Sequence, residues 1–223
     1  MPETPQEILK TVSDYVLSKS LSKPLLVAIN GKDASGKTIF AKNLVYYLRK
    51  RTTQQIIYIA FDKFLNKSSI RNAKFKSEAI GSFNNAFNYQ GFIDTFLAPL
   101  TSSSIYKDQI YDLEKDTEVE SSYKHADINS IFIVDGLFLY RKELLNYWDI
   151  KVLLEADTDV IIERGAKRDE SVFGSYALAK DRYLNRYMPS QEVYYNETSP
   201  KKISDIIIKN SDPTNATILI QKF

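Results

Sequence analysis

The sequence predicts an α/β fold in three layers: a doubly wound, mostly parallel sheet of five strands with helices on both faces. Three observations carry this expectation. Five apolar runs, Leu25 to Ile29, Ile56 to Phe61, Ile131 to Val134, Ile150 to Leu154 and Ile206 to Ile208, have the length and composition of strands buried on both faces. Helical patterns lie between most of them, as crossovers between parallel strands require. The first run feeds Gly31-Lys32-Asp33-Ala34-Ser35-Gly36-Lys37-Thr38 and then an amphipathic helix, which is the strand, loop and helix context of a phosphate-binding loop.

In chain order, residues 4 to 18 predict a helix on the edge of the sheet. Thr4 can cap it, Pro5 suits the first helical position, Glu7 completes a capping box, and Ile8, Leu9, Val12 and Val16 form the apolar face. In the loop that follows the first strand, glycines let the backbone wrap so that successive N–H groups point inward, and the next helix presents its positive end. Gly31, Asp33, Ala34, Ser35, Gly36, Lys37 and Thr38 would thus hold nucleotide phosphates. Lys37 would reach the β and γ phosphates, and the Thr38 hydroxyl would complete the coordination of a bridging Mg²⁺. Phe40, Ala41, Leu44, Val45 and Leu48 then recur at helical spacing.

The second run ends in Asp62. A carboxylate across the sheet from the loop could take the proton from an acceptor hydroxyl, or simply cap the strand end. Residues 63–128 break the alternation, being rich in Ser, Asn, Asp and aromatics without a second glycine loop, and predict an insertion over the site. Its aromatics, Phe64, Phe83, Phe87, Tyr89, Phe92 and Tyr111, form either a stacking wall for a planar ligand or the insertion's own small core. The third run ends in Asp135-Gly136, a carboxylate placed to hold Mg²⁺ or to cap the next turn. Arg164 and Arg168, at i and i+4, share one helix face and read from spacing alone as a solvated basic patch with Lys167. The Asp212-Pro213 turn after the last run lies where the fold would border the base of a nucleotide.

Composition narrows the chemistry. Across 223 residues, 30 basic and 28 acidic side chains leave a net charge of +2, which supplies no field for nucleic acid or an anionic membrane. With no cysteine and a single histidine, His125, any metal is a hard cation bound by oxygen. The opening MPETPQEILK lacks the pattern of a signal peptide, and no run approaches the roughly 18 apolar residues of a membrane span, so a soluble cytoplasmic protein is expected. Asn66-Lys67 is followed by Ser68-Ser69 and so does not complete a guanine-reading motif. Composition leaves monomer and homo-oligomer equally open.

Taken together these residues resemble the uridine kinase and phosphoribulokinase family of P-loop kinases, over most of the chain. Asp62-Lys63-Phe64 resembles the family's D-x-F/Y motif, whose aspartate is the catalytic base, and Tyr111-Asp112 its Y-D motif, whose tyrosine lies against the nucleoside. Asp135-Gly136-Leu137-Phe138 is similar to the stretch ending the Walker B strand. Arg164, Arg168 and Asp169 fall on the R-x-x-x-R-D of the lid helix, and Ser204 to Asn210 on the late A-D-I-I-I-x-N strand. The resemblance implies the P-loop NTPase fold in one domain, with an acceptor-site insertion at 63–128 and a lid at about 164–190. It implies ATP and Mg²⁺ as cofactors and a small-molecule acceptor, first of all a nucleoside. It implies Asp62, Lys37, Arg164 and Arg168 in catalysis, the two arginines closing over the phosphates. The acceptor side departs from the family: Asn88 replaces a ribose-binding aspartate, Asp116 a base-contacting histidine and Glu118 an arginine. Phe64, Asn88, Tyr111 and Asp116 are thus expected beside an acceptor whose recognition differs from that of uracil, and another small hydroxyl compound or a regulatory nucleotide binder stays open.

Overall fold

Alternation along the first strand sorts the layers. In β1 (Leu25–Gly31), Leu25, Val27 and Ile29 point to one face while Leu26 and Ala28 point to the other, and every residue of the strand is buried. The computed structural model describes residues 4–19 and 22–222. Its central sheet adds β2 (Ile56–Ala60), β3 (Ile131–Gly136), β4 (Ile150–Glu155), β5 (Ile206–Lys209) and β6 (Thr217–Gln221), in the order β6-β5-β4-β1-β3-β2. The five strands expected from the sequence are all present and parallel. The sixth, antiparallel to β5, was not expected. Thr217–Gln221 is a short, largely exposed edge strand, although its apolar run Ile218-Leu219-Ile220 is as long as Ile206 to Ile208.

On the first face lie α1 (Gln6–Ser18) and α2 (Lys37–Arg49), whose Ile8, Val12, Val16, Phe40, Leu44 and Leu48 pack against Val27, Ile133 and Val152. The predicted cap of α1 does not form. Pro5 is itself the N-cap, no side chain caps the helix, and the Thr4 hydroxyl accepts a hydrogen bond from Asn43 of α2 at 3.2 Å. Thr4 thus ties two helices together instead of closing one.

The second face is aromatic. Between β2 and β3 the chain forms short helices, among them α3 (Glu78–Asn85), and two two-stranded ribbons, Ile105–Tyr106 with Lys124–His125 and Tyr111–Asp112 with Thr117–Glu118. Phe64, Phe83, Phe87 and Phe92 are buried there, with Phe61 stacked on Phe87 at 4.2 Å between centroids and Phe92 on Phe96 at 4.9 Å. Of the two roles open to these rings, core packing is the one realised. His125 is exposed.

After β4 come α4 (Thr158–Arg168) and a helical stretch running from α5 (Tyr176–Arg182) through a π turn (Tyr183–Tyr187) into α6 (Met188–Thr198). Pro189 lies at the start of α6 and has no N–H to give, which accounts for the widened turn before it. The Tyr194 hydroxyl fastens α6 to the sheet, accepting from Asn30 Nδ2 at 2.8 Å and from the Tyr140 amide at 3.1 Å. No helix of the described residues is long and apolar enough to cross a membrane.

Leu44 is fully buried between α2 and the sheet. Leu44→Ala is expected to lower unfolding free energy by about 2 to 5 kcal/mol in a denaturant titration, whereas Leu178→Ala on the exposed side of α5 shifts it by less than about 0.5 kcal/mol.

Candidate functional site

The carboxyl ends of the parallel strands converge on one cleft, as open α/β sheets require of their ligand sites. The loop from β1 to α2 forms its floor. Gly36 has φ 95°, the left-handed region where a side chain is strained, and a Cβ there would run into the Asn210 amide. That amide donates to the Ser35 carbonyl at 2.7 Å, and the Asn210 backbone N–H donates to the Glu155 carbonyl at 2.6 Å, so the ends of β4 and β5 brace the loop. Lys37 opens α2 and is only 7% exposed, its Nζ donating to the Lys32 carbonyl at 2.8 Å. Burial lowers its pKa below the ordinary lysine value, against the opposing pull of Asp33, Asp135 and Asp62.

Asp135 sits near the end of β3, level with Ile29 and Ala60 of its neighbours. Its two oxygens accept from the Thr38 hydroxyl and the Tyr58 hydroxyl, each at 2.6 Å. Burial and the adjacent carboxylate raise the Tyr58 pKa well above its usual value, so the phenol remains a donor. A carboxylate and a hydroxyl side by side on the phosphate side of the loop are hard oxygen donors, and they fit a cation such as Mg²⁺.

Asp62 lies in the single helical turn Phe61–Phe64 that follows β2. Its side chain opens into the cleft, yet the protein crowded around it disfavours the charged form, and Asp135 and Asp33 add repulsion, pushing its pKa up to about 6. From α4, Arg164 donates to the carbonyls of Asn210 at 2.9 Å and Ser211 at 2.6 Å, and Arg168 makes a forked pair with Asp33 at 3.1 and 3.2 Å. Gly165, between them on the helix, leaves the space that the Tyr183 ring fills. Around a cavity of about 740 Å³ the structure gathers Asp33, Ala34, Gly36, Lys37 and Thr38 of the loop, the carboxylates Asp62 and Asp135, and both arginines. Gly31 and Ser35 are buried in the loop and shape it without facing the cavity. Pro213 does face it.

The four residues expected beside the acceptor do not line this cavity. Phe64 is fully buried and edge-on to Phe92 at 4.7 Å, so it is core. Asn88 caps a helical turn by accepting from the Gly91 amide at 2.8 Å. Asp116 accepts from the Ser68 amide at 2.8 Å, from the Ser68 hydroxyl and from the Tyr111 hydroxyl at 2.5 Å. Those hydrogen bonds hold its pKa down to about 2. Tyr111 also accepts from Arg71 at 3.1 Å. Glu118 pairs with Lys67 at 3.1 Å. The insertion spends these polar groups on its own ribbon and turns.

Sequence reasoning missed Tyr58, Tyr183 and Gln191, and named Asn210 only as the end of the late strand's motif. Tyr58 had one visible signal, a polar tip inside an otherwise apolar run. Asn210 stood at the end of the last run, but its bond to the loop is a long-range contact. Tyr183 and Gln191 reach the site around the π turn; Pro189 marks that turn, but nothing local marks the partners of these side chains.

The Phosphoribulokinase / Uridine kinase family profile matches residues 26–217. A uridine kinase of Clostridium tetani is 29% identical over 188 residues, covering 83% of this chain and 87% of the relative. A uridine kinase of Clostridium novyi is 27% identical over 200 residues, covering 89% and 93%. Among solved structures, one described as a possible uridine kinase from Bacillus stearothermophilus superposes with a TM-score of 0.72 at 19% identity, covering 91% of this chain and 97% of the other. These solved coordinates share the three-layer P-loop fold.

A carboxyl group raised on folding from 3.8 to about 6 favours the folded state while protonated, and that contribution is lost as the pH rises through about 4 to 6. Asp62→Asn is therefore expected to raise Tm relative to the parent near pH 8, the gain shrinking toward about pH 4 in scanning calorimetry. A gain of equal size at both pH values would contradict the crowded carboxylate.

Proposed function

This chain belongs to the Phosphoribulokinase / Uridine kinase family, and from that premise we propose that it transfers the γ-phosphate of ATP to a hydroxyl of a small molecule, first of all a nucleoside of the uridine or cytidine kind. The observation that carries the reading is the meeting, in one cavity, of Asp62 with Lys37, the Thr38–Asp135 pair and the two arginines of α4.

The roles follow from charge and reach. Amides of the Gly31 to Thr38 loop bind triphosphate oxygens, and Lys37 adds a point charge toward the transferred group. Thr38 and Asp135 would hold Mg²⁺, which when bound would neutralise charge on the β and γ phosphates. Asp62, with a pKa near 6, is mostly ionised at neutral pH and yet basic enough to take the proton from an acceptor hydroxyl. Arg164 and Arg168 place positive charge over the phosphates and, with the helix they belong to, exclude water. In this reading the chain is a single domain, with residues 63–128 covering the acceptor side and about 164–190 serving as the lid.

A second reading keeps the chemistry and changes the acceptor to another small hydroxyl compound, such as a sugar, a sugar phosphate or pantothenate. It is favoured by Asn88 and Asp116, whose hydrogen-bonding groups are engaged within the insertion. The partner in either case is a small molecule, with no nucleic acid or membrane involved.

ADP production from Mg·ATP, measured against a panel of nucleosides, sugars and pantothenate, tests the proposal. Acceleration by a nucleoside supports the first reading and acceleration by another compound the second, while slow hydrolysis indifferent to every acceptor would point to a regulatory nucleotide binder and refute both. In the accelerated reaction Asp62→Ala is expected to cost about 10² to 10⁴ in rate with little change in ATP affinity; unchanged turnover would remove the base assignment. Lys37→Ala should instead lose nucleotide affinity.

A further inference from the structure

The Asp33 side chain is not needed to bind phosphate, since the loop's amides do that, and an anion beside a triphosphate is electrostatically unwelcome. Its surroundings give it other work. Oδ1 accepts from the Ala34 amide at 2.8 Å and from Arg168 Nη1 at 3.2 Å. Oδ2 accepts from Arg168 Nη2 at 3.1 Å and from the Tyr183 hydroxyl at 2.7 Å. The Asp33 backbone N–H donates to Gln191 Oε1 at 2.6 Å, and Gln191, only 2% exposed, is anchored in turn through Nε2 to the Tyr187 carbonyl at 2.9 Å. One loop residue thereby meets three others, from α4, the π turn and α6.

Arg168 is held from two sides. Asp169 accepts from Nε at 2.7 Å and from Nη2 at 3.0 Å, while Asp33 takes the outer edge of the guanidinium. A planar fork gripped by two carboxylates has its direction set, which a single pair on a flexible side chain does not achieve. Burial favours the neutral acid at Asp33, but Arg168 and Lys37 outweigh it and hold its pKa below the ordinary carboxylate value.

We propose that Asp33 is a positioning residue: an anion built into the phosphate loop that seats Arg168 over the cleft and fastens the helical stretch 176–191 to the loop. The significance of the seated arginine rests on the kinase reading, but the latch itself is tested without nucleotide. The π turn makes the latch workable, since its wider helical spacing directs Tyr183 at Asp33 while Tyr194, eleven residues on, stays fixed to the sheet.

The experiment uses the full nucleotide-free chain and compares the parent with Asp33→Asn and Tyr183→Phe. Hydrogen exchange of amides in 176–187 is expected to accelerate by about tenfold or more in Asp33→Asn, as loss of charged hydrogen bonds implies, and by less in Tyr183→Phe, while the amides of β1 and β3 keep their protection. In ¹⁵N spectra the Arg168 guanidinium, assigned by its loss in Arg168→Lys, should show separate Nη signals in the parent, because a forked pair hinders rotation, and faster interconversion of them in Asp33→Asn, where only the Asp169 pair remains. Unchanged exchange in both variants, acceleration spread equally over the core strands, or Nη signals that interconvert no faster in Asp33→Asn than in the parent would overturn the proposal. Titration of the same samples with Mg·ATP reports on the nucleotide site independently, so failure of the kinase reading and failure of the latch are told apart.

Discussion

The cleft depends on one electrostatic constraint: three carboxylates, Asp33, Asp62 and Asp135, share the cavity with a nearly buried lysine, Lys37, and favour its charged form against burial. A lysine taken out of water is tolerable only among anions, and anions this crowded are tolerable only when each has its own partner. Asp135 has the hydroxyls of Thr38 and Tyr58, and Asp33 has Arg168 and Tyr183. Asp62 is the one left facing the cavity without such a partner, and its pKa rises accordingly to about 6. Three chemically identical groups are thus treated unequally: two are held by partners and one is left open to the cavity.

The same constraint connects fold to function through the strand ends. β1 delivers the loop, β2 delivers Asp62, β3 delivers Asp135, and β4 with β5 deliver the backbone that Asn210 uses to brace Gly36. These positions are set by parallel register, in which Ile29, Asp135 and Ala60 lie level, so the chemistry inherits the rigidity of a sheet buried on both faces. The elements bearing Arg164, Arg168 and Tyr183 have a different footing. They reach the cleft from outside the sheet, held by polar contacts and by a small apolar cluster of Ile161, Ile162, Tyr183 and Met188. That division suits a site in which phosphate-binding groups stay fixed while covering groups must admit a nucleotide.

Legibility in the sequence follows the same division. The five parallel strands, the loop, Asp62 and Asp135 were readable because a buried strand has a continuous apolar run and a phosphate loop has fixed spacing within eight residues. The cap of α1 was misread because a local pattern lost to a tertiary contact, Thr4 with Asn43. The edge strand β6 was missed although Ile218-Leu219-Ile220 is an apolar run as long as that of β5; what no run shows is that the strand returns antiparallel along the sheet edge. Asn88, Asp116 and Phe64 carry the right residue types or positions for a pocket, but nothing in their spacing reveals that a helical turn, a ribbon and an aromatic core already use them. Tyr183 and Gln191 depend on a π turn and on contacts across more than a hundred residues, which lie beyond any local reading.

The central claim is that the cleft receives a triphosphate together with a hard cation, and calorimetric titration with ATP in the presence and absence of Mg²⁺ tests it most directly. The account predicts saturable binding at one site per chain that weakens by about tenfold or more when Mg²⁺ is withdrawn, because Thr38 and Asp135 then face the phosphates without the charge that joins them. Binding of equal strength with and without the cation, or no binding in either case, would contradict it.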